Sequence, residues 1–186
     1  MRFLEKYLNE NFFVITGGPG VGKTTLLDEL NRKGFCCVPE VAREIIKEQM
    51  SSKGDALPWG NKRLYMQLML ERSVESYQET VKTDTSPIFF DRGILDTLCY
   101  AKLIEAEVTK EMEHYARKFR YNFKVFLLPP WKAIYQTDTE RKQSWEEAVA
   151  TYEMMVETYE YYGYNVIEVP KSSVEERVEF ILKHIS

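Results

Sequence analysis

Asn11-Phe-Phe-Val-Ile-Thr-Gly-Gly-Pro-Gly-Val-Gly-Lys-Thr-Thr25 decides the fold. Its first six residues are mostly apolar, aromatic or β-branched, which is the composition of a buried strand. The run stops at glycine. From Gly22 to Lys33 the period becomes helical, with Leu26, Leu27 and Leu30 on one face and Gly34 placed as the C-terminal cap. Between strand and helix, Gly17-Gly18-Pro19-Gly20-Val21-Gly22-Lys23-Thr24 matches G-x-x-x-x-G-K-[ST]. Such a loop binds anions. Glycines let successive backbone N–H groups point inward, and the helix N-terminus adds partial positive charge. Lys23 is placed to reach the β- and γ-phosphates of a nucleoside triphosphate, and Thr24 to ligate Mg²⁺. Gly17 through Thr25 are therefore the expected nucleotide-binding residues, for ATP or GTP.

Outward from this stretch, short apolar runs alternate with helical patterns. Phe35–Val38, Pro87–Asp91, Phe123–Leu128 and Asn165–Val169 read as four further strands. Pro39 is placed to open a helix at its first position. A long helix is expected from Trp59 to Lys82, with Met66, Leu70, Val74, Tyr77 and Val81 in one stripe. Others follow at Ile94–Leu103 and Thr109–Arg120. Ser144-Trp-Glu-Glu147 and Ser173-Val-Glu-Glu176 are capping boxes, each opening a helix. Five strands alternating with helices imply parallel βαβ units and a sheet covered on both faces. The 186 residues suit a single domain. The stretch Pro129–Gln143 fits neither period, and a lid is the reading for it.

In open parallel sheets, ligands bind beyond the C-terminal strand ends. Asp91 ends the third strand, where it can join the Mg²⁺ shell or take a hydroxyl proton. Arg92 follows it and can face a neighbouring anion. Glu40 lies beyond the second strand and competes with Asp91 for the role of base. Arg43, one turn on, is a candidate for a substrate anion. Arg63 and Gln67 share the polar side of the long helix and are candidate substrate contacts. In the lid, Arg141 is the cation expected to stabilise charge on a transferring phosphoryl group. Lys142 and Lys132 are companions of the same kind. His114 reads as a surface residue.

The balance of 25 basic and 29 acidic side chains gives a net charge of -4, so a nucleic-acid partner is not expected. No apolar run reaches 18 residues, and Glu5, Lys6 and Glu10 break the N-terminal segment, so neither a membrane span nor a secretory signal is expected. Cys36, Cys37 and Cys99 form no C-x-x-C pair. Buried inert thiols in a reducing cytoplasm are the expectation, without a zinc site.

Gly17–Thr25, Pro39–Arg43, Phe89-Phe-Asp-Arg-Gly93 and the basic lid together resemble the P-loop kinase branch that holds nucleoside and nucleotide kinases. The likeness covers nearly the whole chain. Within that branch it is nearest to the AAA-type group that includes the kinase domain of the ribosylnicotinamide kinase NadR. In the similar deoxynucleoside kinases, a Glu after the second strand serves as base, a Gln on a later helix reads the base, and Glu-Arg-Ser follows the third strand. Glu40, Gln67 and Asp91-Arg92 stand in matching order. Thymidylate kinases carry Asp-Arg plus an aromatic residue at the third strand's end, where this sequence has Gly93. The resemblance implies an α/β three-layer sandwich, with a five-stranded parallel sheet of order 2-3-1-4-5. It also implies a kinase that moves the γ-phosphoryl of ATP to a small molecule, such as a nucleoside, nucleotide or ribosylated vitamin. The alternative is a nucleotide-dependent switch or ATPase with no small acceptor. A GTPase would carry Asn-Lys-x-Asp after a strand. The nearest match, Ser52-Lys-Gly-Asp55, follows a helix.

Overall fold

The computed structural model describes residues 7–81, 86–134 and 144–185. Its centre is β2 (Phe12–Gly17), buried at every position. Parallel to it run β4 (Ile88–Asp91) and β6 (Lys124–Leu128), flanked by β3 (Cys36–Val38) and β7 (Asn165–Glu168). The sheet order is β3-β4-β2-β6-β7. Counted along the chain, these five strands stand 2-3-1-4-5, the order that the resemblance implies.

Alternation along β2 divides the core. Phe12 and Val14 point to one face, among Phe90, Tyr77, Leu98 and Tyr159. Phe13 and Ile15 point to the other, among Leu26, Leu30, Val178 and Ile181. The second face is covered by α1 (Lys23–Arg32) and α7 (Val174–Ile185). The first is covered by α3 (Lys62–Thr80), α4 (Ile94–Leu103), α5 (Lys110–Lys118) and α6 (Trp145–Tyr161). A further helix, α2 (Val41–Ser52), packs Ala42 and Ile45 against Tyr65 and Met69 of α3.

Local chemistry sets the helix ends. Both capping boxes form, at Ser144/Glu147 and Ser173/Glu176. Gly34 ends α1 with φ +93°, its N–H donating to the Asn31 carbonyl while the Phe35 N–H reaches Leu30. The long helix starts at Lys62 and not at the expected Trp59, because the Asn61 side chain accepts from the Leu64 N–H and fixes the entry there. Val81 lies past its end and is exposed. Pro39 does not open α2. Glu40, in extended backbone, is the residue before the helix.

Two elements escape a reading by period. Tyr7–Leu8 (β1) pairs in parallel with Phe119–Arg120 (β5), so the expected helix through Arg120 ends at Lys118. Phe119 turns into the core beside Tyr77, whose hydroxyl donates to the Arg120 carbonyl at 2.9 Å. The thiols also differ from expectation. Cys99 is buried, but β3 is an edge strand, which leaves Cys36 exposed and Cys37 half-buried.

Gly17 carries a tight turn. Its φ is +147°, and a Cβ there would stand 2.7 Å from the Leu128 carbonyl oxygen. Gly17→Ala is expected to destabilise the fold by about 1–3 kcal/mol, read as a lower urea midpoint with an unchanged slope. An unchanged midpoint would show that the turn relaxes freely.

Candidate active site

The loop Gly17–Gly22 joins the central strand to α1, so its N–H groups open at the C-terminal edge of the sheet. Lys23 is buried, and its ammonium donates to the carbonyls of Gly17 and Gly18 at 3.1 and 3.2 Å. Burial lowers its pKa to about 8, helped by Arg92 and opposed by Asp91, Glu40 and Asp96. A triphosphate would restore the charge that burial disfavours.

Asp91 lies level with Ile15, at the adjacent strand end. Its Oδ1 is buried without a hydrogen-bond partner, and burial raises its pKa. Thr24 and Asp91 line the same groove between α1 and α2. One hydroxyl and one orphaned carboxylate oxygen fit Mg²⁺, which takes hard oxygen ligands, few of them from protein.

Arg92 is the pivot. Its backbone is left-handed, with φ +72°, and its N–H donates to the Ile15 carbonyl. Nε lies 2.8 Å from Glu40 Oε1, and Nη1 lies 3.1 Å from Asp96 Oδ1. Burial works against the Arg92 charge, but Glu40, Asp96 and Asp91 outweigh it and raise the pKa. Burial likewise works against the Glu40 charge, and Arg92 and Lys23 win, bringing that carboxyl down to about 2.

Asp96 was not among the expected site residues. In the first turn of α4, it is buried and accepts from four donors. Thr16 Oγ1 at 2.5 Å and Arg92 Nη1 meet Oδ1. The Gly93 N–H at 2.8 Å and the Tyr159 hydroxyl at 2.6 Å meet Oδ2. The visible signal was a single acid inside an apolar helix, four residues after Arg92. Arg177 was also missed. It sits on the apolar stripe of α7, 5% exposed, and its Nε and Nη1 lack hydrogen-bond partners among the described residues. Its guanidinium lies 5.7 Å from the Trp131 ring centre, and a Cβ on Gly22 would stand 3.0 Å from Nη1.

Glu40 lines several cavities, among them one at the P-loop and one beside Tyr65. The larger, about 570 Å³, runs from Gly20–Thr25 to Trp131, Ser173 and Arg177. The smaller, about 140 Å³, is lined by Pro19, Tyr65, Arg92, Tyr100 and Met155. Arg43 borders the larger cavity and the α1–α2 groove. Arg63 and Gln67 are not brought to this place. They are exposed on the other side of α3, lining a separate cavity with Glu107 and Met112, and Gln67 donates to Glu71. Tyr65 and Met69, from the buried side of that helix, reach the site instead. Arg141 and Lys142 lie outside the described residues. Lys132 is exposed and approaches the Trp145 ring, and His114 is on the surface.

Two outcomes test this electrostatic arrangement. Nucleotide binding just above pH 8 is expected to take up protons, as Lys23 regains its charge, and affinity should fall as pH rises through 8. Calorimetry in buffers of different ionisation enthalpy measures the uptake, and Lys23→Met should abolish it. Asp96→Ala takes one of the two carboxylates from Arg92 and leaves the Thr16, Gly93 and Tyr159 donors unmet, so a loss of about 3–5 kcal/mol is expected in chemical denaturation. A loss under about 1 kcal/mol would remove Asp96 from its organising place.

No curated protein matches the sequence. Among solved structures, NadR in complex with NR superposes with a TM-score of 0.65 at 19% identity, covering 98% of this chain and 50% of that one. The chain thus spans half the length of NadR. Deoxyadenosine kinase from M. mycoides gives 0.63 at 19% identity, covering 94% and 98%. Thymidylate kinase from Ehrlichia chaffeensis gives 0.59 at 13% identity, covering 94% and 97%. At such identities the likeness concerns the fold, which all three share with this chain. Residues 12–177 match the AAA domain family AAA_28, and the chain belongs to that family.

Proposed function

We propose that the chain is a phosphotransferase that moves the γ-phosphoryl group of ATP or GTP to a hydroxyl of a small molecule. The observation that carries this reading is the position of Glu40. It stands where the P-loop cavity meets the aromatic cavity beside it. The larger cavity takes the nucleotide. Backbone N–H groups of the loop and Lys23 hold its phosphates, and Trp131 and Arg177 meet its base end. Thr24 and Asp91 would hold Mg²⁺, which neutralises charge on the phosphate oxygens.

The acceptor sits in the smaller cavity with its hydroxyl against Glu40. In transfer, the bond from the acceptor oxygen to the γ-phosphorus forms, and the bond from that phosphorus to the bridging oxygen of the departing nucleoside diphosphate breaks. The hydroxyl proton passes to the Glu40 carboxylate and then to water. A pKa near 2 makes Glu40 a weak base, but phosphoryl transfer runs through a loose transition state that asks little of one. Its ionised oxygen orients the hydroxyl and receives the proton once the new bond makes it acidic. Asp91 is thereby assigned to the metal and Glu40 to the acceptor. The expected lid, Pro129–Gln143, lies outside the described residues beyond Ile134. Trp131 and Ile134, at its start, line the larger cavity. The free thiols suit a cytoplasmic setting.

Nucleoside diphosphate release, followed with and without a panel of nucleosides, mononucleotides and ribosylated vitamins, tests the reading. Release should require an acceptor. Glu40→Gln should lower turnover by about 10²–10⁴-fold, and Lys23→Ala should abolish tight triphosphate binding in a folded protein. Hydrolysis at the same rate without any acceptor would instead favour an ATPase or switch.

A further inference from the structure

The cavity at the P-loop carries more positive charge than Lys23 supplies. Lys23, Arg43 and Arg177 border it against one carboxylate, Glu40, which already pairs with Arg92. Two helices also open onto it by their N-terminal ends, α1 through Gly22–Thr25 and α7 through Ser173 and Val174. The positive ends of both helix dipoles therefore face one space. Glu175 and Glu176, in the first turn of α7, are exposed and offset part of that field.

Arg177 stands out on this wall. The residue is 5% exposed, and its Nε and Nη1 are buried without a hydrogen-bond partner among the described residues. Among those residues no carboxylate forms an ion pair with it. Burial lowers its pKa, and the exposed Glu175 opposes that only in part. The Trp131 ring, 5.7 Å away, offsets a fraction of the cost of burying the charge. The guanidinium lies against the end of the phosphate loop. A Cβ on Gly22 would stand 3.0 Å from Nη1 and 3.6 Å from Nη2, so the absence of a side chain there is what admits it. Ser172, on the same wall, has a buried hydroxyl that also lacks a partner among the described residues. An unmet guanidinium and an unmet hydroxyl beside a phosphate-binding loop are both groups that a phosphate oxygen satisfies.

Resting on the nucleotide site of the phosphotransferase reading, we infer that Arg177 and Ser172 form an anion subsite at the start of α7. It takes the α-phosphate, the one nearest the base, while Lys23 takes the β- and γ-phosphates. Arg177 thereby holds nucleoside triphosphate and diphosphate alike. In the free protein it is a buried charge kept at a cost in stability, and the nucleotide supplies its partner.

Two variants of the full chain test this. Arg177→Met keeps an apolar stem and removes the charge, and Arg177→Lys keeps a charge but loses the planar fork. The probes are ADP and inorganic tripolyphosphate, each titrated calorimetrically with Mg²⁺ present. Arg177→Met should weaken both by about 10–100-fold, the range of one hydrogen-bonded contact to a charged group, and Arg177→Lys should recover part of each loss. Without ligand, the urea midpoint of Arg177→Met should equal or exceed that of the unsubstituted chain, because an unpaired buried charge has been removed. A loss for ADP with tripolyphosphate unaffected would put Arg177 on the base and overturn the inference. Unchanged affinities would overturn it, and so would a lowered midpoint, which marks a structural residue. Failure of tripolyphosphate to bind the unsubstituted chain would do the same. Nucleotide hydrolysis that needs no acceptor, together with the expected losses in Arg177→Met, would uphold the subsite and overturn the phosphotransferase reading instead.

Discussion

Moving the Arg92 guanidinium out of water costs several kcal/mol unless carboxylates meet it, and Glu40 and Asp96 meet it from two sides. The rest of the site follows from that need. Glu40 comes from the entry to α2, Asp96 from the first turn of α4, and Arg92 from the end of β4. One cation therefore ties three elements together at the sheet's C-terminal edge. Asp96 extends the tie to Thr16 on the central strand and Tyr159 on α6. The left-handed backbone of Arg92 is a strained state for a residue with a Cβ, and these partners hold it there.

On the proposed function, the same arrangement separates the two carboxylates by role. Glu40 is kept ionised by its neighbours, whereas Asp91 is half-buried beside the P-loop, with its Oδ1 buried and unpartnered. A carboxylate fixed to a guanidinium can orient a hydroxyl but offers little to a metal. An unpartnered carboxylate oxygen that lines one groove with a threonine hydroxyl suits magnesium better. Lys23 is held on the loop's own carbonyls, at the place that the proposed function gives to the phosphates.

The central strand and its loop were legible because their signals are local. An apolar β-branched run, a glycine stop and a fixed Lys-Thr spacing need no tertiary information. The capping boxes at Ser144 and Ser173 were legible for the same reason. Where tertiary packing decides, the reading fails. Arg63 and Gln67 do share a polar helix face, but polarity does not say whether that face meets the site or solvent. The opposite face, with Tyr65 and Met69, borders the site and reads as core. Asp96 and Arg177 are charges within apolar stripes, and only the folded chain shows what each one meets. The Tyr7–Leu8 pairing with Phe119–Arg120 is too short to carry any period.

A double-mutant cycle on Glu40→Gln and Asp96→Asn, read by chemical denaturation, tests most directly whether Arg92 binds these carboxylates into one unit. Each single variant leaves the guanidinium one of its two carboxylate partners. Only the double variant removes both. The account predicts that the double variant loses more stability than the sum of the singles, by about 0.5–3 kcal/mol. Additive losses would show that the two carboxylates act independently, and would contradict the account.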